Sequence, residues 1–83
     1  MSRSEVLANC EIVIRRKVAE AKKYREDITG TNEKSEVSYR LSEYARCEAL
    51  GIADGMQLCG IITLEQKLAL RDAIDYAVYC EIG

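Results

Sequence analysis

The sequence contains no proline, tryptophan, phenylalanine or histidine, and it has only five glycines in 83 residues. Proline and glycine are the residues that most disfavour helices, so their scarcity favours long uninterrupted helices. The absence of histidine removes the commonest general base, proton shuttle and zinc ligand. We therefore predict an all-α protein that is not an enzyme and that needs no cofactor and no metal ion.

The four cysteines, Cys10, Cys47, Cys59 and Cys80, are too far apart for a C-x-x-C redox motif or a paired zinc site. The sequence has no apolar N-terminal segment typical of a secretory signal peptide. No apolar run reaches the roughly 18 to 20 residues that cross a bilayer. We expect small, buried, free thiols in a cytoplasmic protein without membrane contact; an interchain disulfide or a metal site is the alternative.

The net charge of −2 is unevenly distributed along the chain. Residues 1–31 carry seven basic and five acidic side chains, whereas residues 32–83 carry five basic and nine acidic ones. This asymmetry is too small to indicate nucleic acid as a partner, because a DNA-binding domain is usually strongly basic on one face. It is compatible with electrostatic complementarity between subunits of an oligomer.

Apolar residues at spacings of three and four predict helices near residues 3–29, 33–59 and 64–81. We expect them to form one three-helix domain over residues 1–83. An S-x-x-E motif at Ser2 and a T-x-x-Q motif at Thr63 predict the starts of the first and third helices. Gly30 is expected to end the first helix in a left-handed conformation, and Gly60 to form a tight turn between the second and third helices.

The apolar stripe predicted for the second helix contains one carboxylate. Its members are Val37, Leu41, Tyr44, Ala45, Glu48, Ile52, Met56 and Cys59. A lone carboxylate in such a stripe must be paired, be protonated or contact a ligand. We expect Glu48 to form an ion pair or hydrogen bond with Arg40, Arg46, Arg15 or Tyr44 of this or a neighbouring chain; contact with a ligand or partner is the alternative.

Gly51 and Gly55 lie four residues apart, so they predict a shallow groove on one side of the second helix. Each glycine costs the helix roughly 1 kcal/mol relative to alanine. Close approach of another helix, or of a ligand, would offset this cost. We therefore expect these glycines to face another helix closely.

The later half of the third helix, AIDYAVYCEI, is apolar around most of its circumference, and the polar residues Lys67, Arg71, Asp72 and Asp75 occupy one side only. A terminal helix of a monomeric three-helix domain should have a wider polar face. We therefore predict a homo-oligomer whose interface involves the third helix and the glycine face. The expected interface residues are Gly51, Gly55, Tyr76, Val78, Tyr79 and Ile82.

A dense basic run on the first helix, which includes Arg15 and Arg16, precedes the loop residues Thr31 and Asn32. Such a run is typical of a solvated helix face. Together with the amides at the start of the second helix, it could instead bind a phosphate. A ligand at a subunit interface would contact residues from the set Arg15, Arg16, Thr31, Asn32, Tyr39, Arg40 and Glu48.

In its overall style, this short, helical, proline-free chain with a "GIIT-LEQ" hairpin resembles the small accessory proteins of phages and prophages. The resemblance implies an anti-defence role, in which the protein binds a host protein or sequesters a nucleotide signal between subunits. A helix-turn-helix DNA-binding regulator is the alternative, because "CGIIT" joins two helices through a glycine turn. The third helix, however, offers mainly Leu, Ala, Ile and Tyr rather than the polar and basic side chains that contact bases.

Overall fold

The structure, a computed structural model, describes residues 2–30 and 32–80. It contains three α-helices, α1 (Arg3–Glu26), α2 (Glu33–Leu58) and α3 (Leu64–Tyr79). No strand occurs within these described residues. The prediction of an all-α, three-helix fold is confirmed, and the helix boundaries differ from the predicted ones mainly at the end of α1.

Each helix begins with a side chain that accepts a hydrogen bond from a backbone N–H group of the first turn. Ser2 accepts from the N–H three residues later at 3.2 Å, and Asn32 does the same for α2 at 2.8 Å. Thr63 and the glutamine three residues later form a complete capping box. The caps predicted at Ser2 and Thr63 are therefore confirmed, because these polar side chains satisfy amides that lack a partner within the helix.

The first helix ends at Glu26, three residues before its predicted end near Thr29. The N–H of Thr29 donates to the Ser35 hydroxyl at 2.9 Å instead of continuing the helical ladder. Gly30 has a φ of 139°, but it lies beyond the helix cap at Asp27, so it does not close the helix as predicted. A side chain of the next helix therefore ends α1 by providing a competing acceptor.

Gly60 has a φ of 76° in the turn between α2 and α3. Its N–H donates to the carbonyl of Gln57 at 3.0 Å, and the N–H of Ile61 donates to the carbonyl of Met56 at 2.8 Å. These two bonds have the spacing of a Schellman motif, which satisfies the last carbonyls of a helix. Arg3 donates to the carbonyl of Ile61 at 2.9 Å, so the same turn also contacts the start of α1.

Small residues form the side of α2 that packs against α1. The hydroxyl of Ser42 donates to the backbone carbonyl of Ala21 at 3.0 Å, so a side chain of α2 reaches the backbone of α1 directly. Small side chains permit this close approach of the two helices. The buried small residues of α2 are Ser35, Ser38, Ser42, Ala45, Ala49 and Ala53.

This packing contradicts the apolar stripe predicted for α2. Val37, Leu41 and Tyr44 are 51%, 38% and 65% exposed, whereas Ala45 and Met56 are the only predicted stripe members that are buried. The buried serine and alanine residues recur with the same helical period as the exposed Val37, Leu41 and Tyr44. Periodicity alone therefore does not show which of the two faces is buried. Close contact with α1, rather than the size of the side chains, determines which face is buried.

The third helix runs antiparallel to α2 and is joined to it by charged pairs. Arg46 of α2 pairs with Asp75 at 2.9 Å, and Asp54 pairs with Arg71 at 2.8 Å. The order of these contacts reverses along the two helices, which establishes their antiparallel direction. The apolar core between the helices is small, and it consists of Ile14, Ala21, Ala45, Ala49, Leu50, Ala53, Met56, Ile74 and Val78.

We predict that replacing Gly51 or Gly60 by alanine changes the free energy of unfolding in opposite directions. A Cβ atom at Gly51 would have no neighbour within 4 Å, so Gly51→Ala should stabilise α2 by about 1 kcal/mol. Gly60→Ala should destabilise the fold by about 1–2 kcal/mol, because its φ is positive. Urea unfolding followed by circular dichroism measures both changes, and equal effects would contradict this account of the two glycines.

A second prediction concerns the small residues between α1 and α2. Ala49 is fully buried, so Ala49→Leu should reduce the free energy of unfolding by about 1–3 kcal/mol. Ala69→Leu is the matched control, because Ala69 is exposed on α3. The midpoint of thermal unfolding should be lower for Ala49→Leu than for Ala69→Leu, whereas equal midpoints would argue against close packing at Ala49.

Candidate functional site

Glu48 is half exposed and lies in a surface ion cluster. Its carboxylate pairs with Lys17 at 3.0 Å, and Lys17 also contacts Glu20 at 3.3 Å. Hydrogen bonds to Glu48 and then to Glu20 raise the pKa of Lys17. The expected ion pair is therefore present, but its partner is Lys17 on α1 rather than any of the predicted partners, and Glu48 is not part of the buried face.

Polar side chains at the start of α2, which the alternative of a phosphate site involved, form hydrogen bonds within the chain. Asn32 uses its side-chain oxygen to cap the helix, and the Ser35 hydroxyl accepts from the N–H of Thr29. Thr31 lies outside the described residues. A shallow pocket there has one acid and no cation among its described lining residues, which are Ile28, Gly30, Asn32, Ser35, Glu36 and Tyr39.

The predicted arginine contacts are distributed over separate parts of the surface. Arg40 pairs with Glu36 at 3.0 Å on the exposed side of α2. Arg15 and Arg16 lie in the middle of α1, and the helical rise places Arg16 about 15 Å along the axis from Glu26, where the helix ends. Arg15 and Arg16 do not line the pocket at the start of α2, whereas Arg40 lies beside it through its pair with Glu36.

Tyr79 is the centre of a polar cluster that the sequence analysis did not identify. Its hydroxyl donates to Glu43, which also accepts from Arg46 at 2.7 Å. The guanidinium groups of Arg25 and Arg46 lie 4.7 Å and 5.3 Å from the centre of the Tyr79 ring. Arg46 extends the cluster to Asp75, so all three helices contribute to it.

The cluster changes the protonation equilibria of its members. Partial burial and then the hydrogen bond to Glu43 raise the pKa of Tyr79 to about 12. Partial burial opposes ionisation of Glu43, but hydrogen bonds from Tyr79 and Arg46 outweigh it and lower the pKa of Glu43. The Nη1 atom of Arg25 is buried and has no hydrogen-bond partner in the described structure, so its main contact is the aromatic ring. The cluster therefore joins the C-terminal ends of α1 and α3 to the middle of α2.

We predict that the stabilising effect of the Tyr79 hydroxyl decreases at high pH. The pKa of tyrosine is about 10 in an unfolded chain, and it is about 12 for Tyr79 in the fold. Because the folded pKa is raised, the contribution is complete below pH 10 and is lost as the pH rises through 12. The difference in unfolding free energy between the parent and Tyr79→Phe should therefore decrease over this range, and a constant difference would contradict the hydrogen bond to Glu43.

The third helix does not present all of its predicted interface residues. Val78 is completely buried within the chain, so the prediction that it contacts another subunit is wrong. Tyr79 remains partly exposed, but its hydroxyl and ring contact residues of the same chain. Tyr76 is 59% exposed, and Ile82 lies outside the described residues. Among the interface residues predicted on α3, Tyr76 is therefore the only one whose described side chain is mostly exposed.

Gly51 and Gly55 do not face another helix of the chain. A Cβ atom at either glycine would have no neighbour within 4 Å, so the predicted close crossing is wrong within one chain. Both glycines belong to an exposed side of α2 that faces away from α3. We call this side the outer stripe; its residues are Val37, Leu41, Tyr44, Glu48, Gly51, Ile52, Gly55 and Cys59. Glu48 is its only charged member.

A hollow lies beside the outer stripe where α2 meets α1. It has a volume of about 260 Å³ and is lined by Asn9, Cys10, Val13 and Ile52. A separate groove of about 340 Å³ lies between α1 and α3. Its lining is apolar except for two cations and consists of Ile14, Arg15, Val18, Ala19, Lys22, Leu70, Ala73, Ile74 and Ala77. The two concave surfaces are on different faces of the bundle.

All four cysteines are free, as predicted, but the expectation that they are buried is wrong. Cys47, Cys59 and Cys80 are exposed, and Cys10 is half-buried. No group of three or more acidic or cysteine side chains that could bind a metal ion occurs in the described parts of the chain. Across the same residues, no helix has the length and apolar character needed to span a membrane.

Comparisons of the chain with protein-family models, with curated proteins and with solved structures found no match. The candidate surfaces must therefore be interpreted from their own geometry and chemistry.

Proposed function

We propose that this protein is a non-enzymatic interaction module that functions as a homo-oligomer. The observation that carries the proposal is the outer stripe of α2, where Val37, Leu41 and Tyr44 are exposed beside two glycines. A helix with one face in the core normally has a polar opposite face. Here the second face is also apolar, which is typical of a surface that contacts another protein.

The small core supports the same proposal. Alanine and serine dominate the contact between α1 and α2, so few large side chains are removed from water within one chain. Hydrophobic stabilisation is roughly proportional to the apolar area that is buried. Association through the outer stripe would bury additional large side chains. The lack of histidine in the sequence supports the non-enzymatic part of the proposal.

A protein partner fits the surfaces better than a nucleotide. Of the basic run considered for a phosphate, Arg16 lines a pocket with Lys17 and Lys23, but Lys17 is already paired with Glu20 and Glu48. The pocket at the start of α2 includes Glu36. The groove between α1 and α3 is apolar and carries Arg15 and Lys22, which suits an amphipathic helix with acidic flanks. We therefore propose that any anti-defence role of the phage type depends on binding a host protein through this groove.

The alternative of a helix-turn-helix regulator has less support. In that motif the two helices meet at about 90–120°. Here α2 and α3 remain in contact from the Arg71–Asp54 pair to the Tyr79–Glu43 pair, so they form an antiparallel hairpin. The exposed side of α3 also carries apolar residues such as Leu68 and Tyr76. These features favour contacts with proteins over contacts with base edges.

We predict that Leu41→Glu dissociates the oligomer because it places a charge in the outer stripe. Leu68→Glu is the matched control, because Leu68 is 52% exposed and lies on α3, away from the stripe. Light scattering after size-exclusion chromatography should give a multiple of 9.3 kDa for the parent and for Leu68→Glu, and one chain for Leu41→Glu. A monomeric parent at about 100 μM would overturn the proposal of self-association, since a specific dimer should form at that concentration.

A further inference from the structure

We infer that the groove between α1 and α3 binds a helix that is acidic along one flank only, the flank over α1, and that has no acid along the flank over α3. This inference rests on the proposed binding of a partner protein through the groove, and it specifies the chemistry of that partner. It follows from the unequal charge of the two walls of the groove.

The α1 wall of the groove is positive, and the α3 wall is uncharged. Arg15 and Lys22 both belong to α1, and no acid is among the described residues that line the groove. The residues that α3 contributes are all apolar and consist of Leu70, Ala73, Ile74 and Ala77. A partner side chain over α1 therefore meets positive charge, whereas one over α3 meets hydrocarbon, and this difference selects the charge of each flank.

The outer edge of the α3 wall increases this difference. Ala69 precedes Ala73 by four positions and Tyr76 follows it by three, so these residues are neighbours on the helix surface. Ala69 is exposed, and Tyr76 is 59% exposed. Asp72 is exposed beside them, three positions after Ala69 and four before Tyr76. An acid on the α3 flank of the partner would therefore approach a negative charge instead of a positive one.

The backbone of the two walls favours a helix over an extended segment. The lining residues of both walls lie within α1 and α3, where their backbone groups bond to each other. An extended segment in the groove would lose water from its own N–H and carbonyl groups without gaining a partner for them. A helix satisfies these groups internally, and the small side chains of Ala19, Ala73 and Ala77 permit its close approach.

The positive part of the α1 wall is short. Glu11 lies four positions before Arg15, and Glu26 lies four positions after Lys22, so an acid follows each cation toward the ends of α1. The helical rise places the two cations about 10 Å apart along the axis. Acids of the partner are therefore expected within about two turns of its helix, because acids beyond them would approach Glu11 or Glu26.

Two synthetic peptides of identical composition test the inference. Both are amphipathic helices with a stripe of leucine and alanine and with two glutamates about two turns apart. One peptide has both glutamates on the same flank, and its isomer has one on each flank, so that in either direction of binding one glutamate of the isomer lies over α3. Fluorescence anisotropy at low ionic strength should show that the one-flank peptide binds the full chain about fivefold more tightly than the isomer.

Arg15→Glu locates the bound peptide, and Arg16→Glu is the matched control. Arg16 is the adjacent exposed arginine of α1, but it does not line the groove. Arg15→Glu should weaken binding of the one-flank peptide about tenfold and remove its advantage over the isomer, whereas Arg16→Glu should leave that advantage in place. Circular dichroism verifies that both variants are helical. Equal effects of the two substitutions would place the peptide outside the groove and overturn the inference.

The remaining outcomes separate this inference from the proposals on which it rests. If both peptides bind with equal affinity and Arg15→Glu weakens both, the groove binds a helix but the rule of one acidic flank is wrong. If neither peptide binds at about 1 mM, binding of a helix in the groove is overturned as well. Self-association is decided independently by the mass of the parent in light scattering, since that measurement involves no peptide.

Discussion

The close contact between α1 and α2 determines most of the other features of the molecule. Ser42 reaches the backbone carbonyl of Ala21, and fully buried Ala49 and Ala53 lie along the same side of α2. Because a helix of this length has only one side against α1, burial of the small residues places Leu41 and Tyr44 outside. The exposed apolar stripe is therefore a direct consequence of how the core is packed.

The third helix is attached in a different way. Its large buried side chains are Ile74 and Val78, and polar contacts from Arg71, Asp75 and Tyr79 to α2 surround them. Ion pairs that remain partly exposed contribute little stability each, so the apolar contacts and the arginines over the Tyr79 ring have the larger effect. Since these contacts direct α3 toward α2, a groove remains open between α3 and α1.

The sequence was sufficient to predict the helices and two of their starts, because caps such as Ser2 and Thr63 act through neighbours three residues away. It was not sufficient to predict which side of α2 is buried, since both sides have a helical period. The Tyr79 cluster also escaped prediction: Tyr79 and Glu43 are 36 positions apart, and their contact depends on how the helices pack. An i,i+3 pair of Glu43 and Arg46 was the only local signal available.

The two apolar surfaces have different consequences for assembly. If two copies associate through the same outer stripe, the contact closes around a two-fold axis and does not extend into a filament. The groove between α1 and α3 carries Arg15 and Lys22 and lies on another face of the bundle. A dimer formed through the stripe would therefore leave two equivalent grooves accessible. Two grooves on one particle would bind a dimeric or repetitive partner more tightly than a single groove, because the second contact is intramolecular.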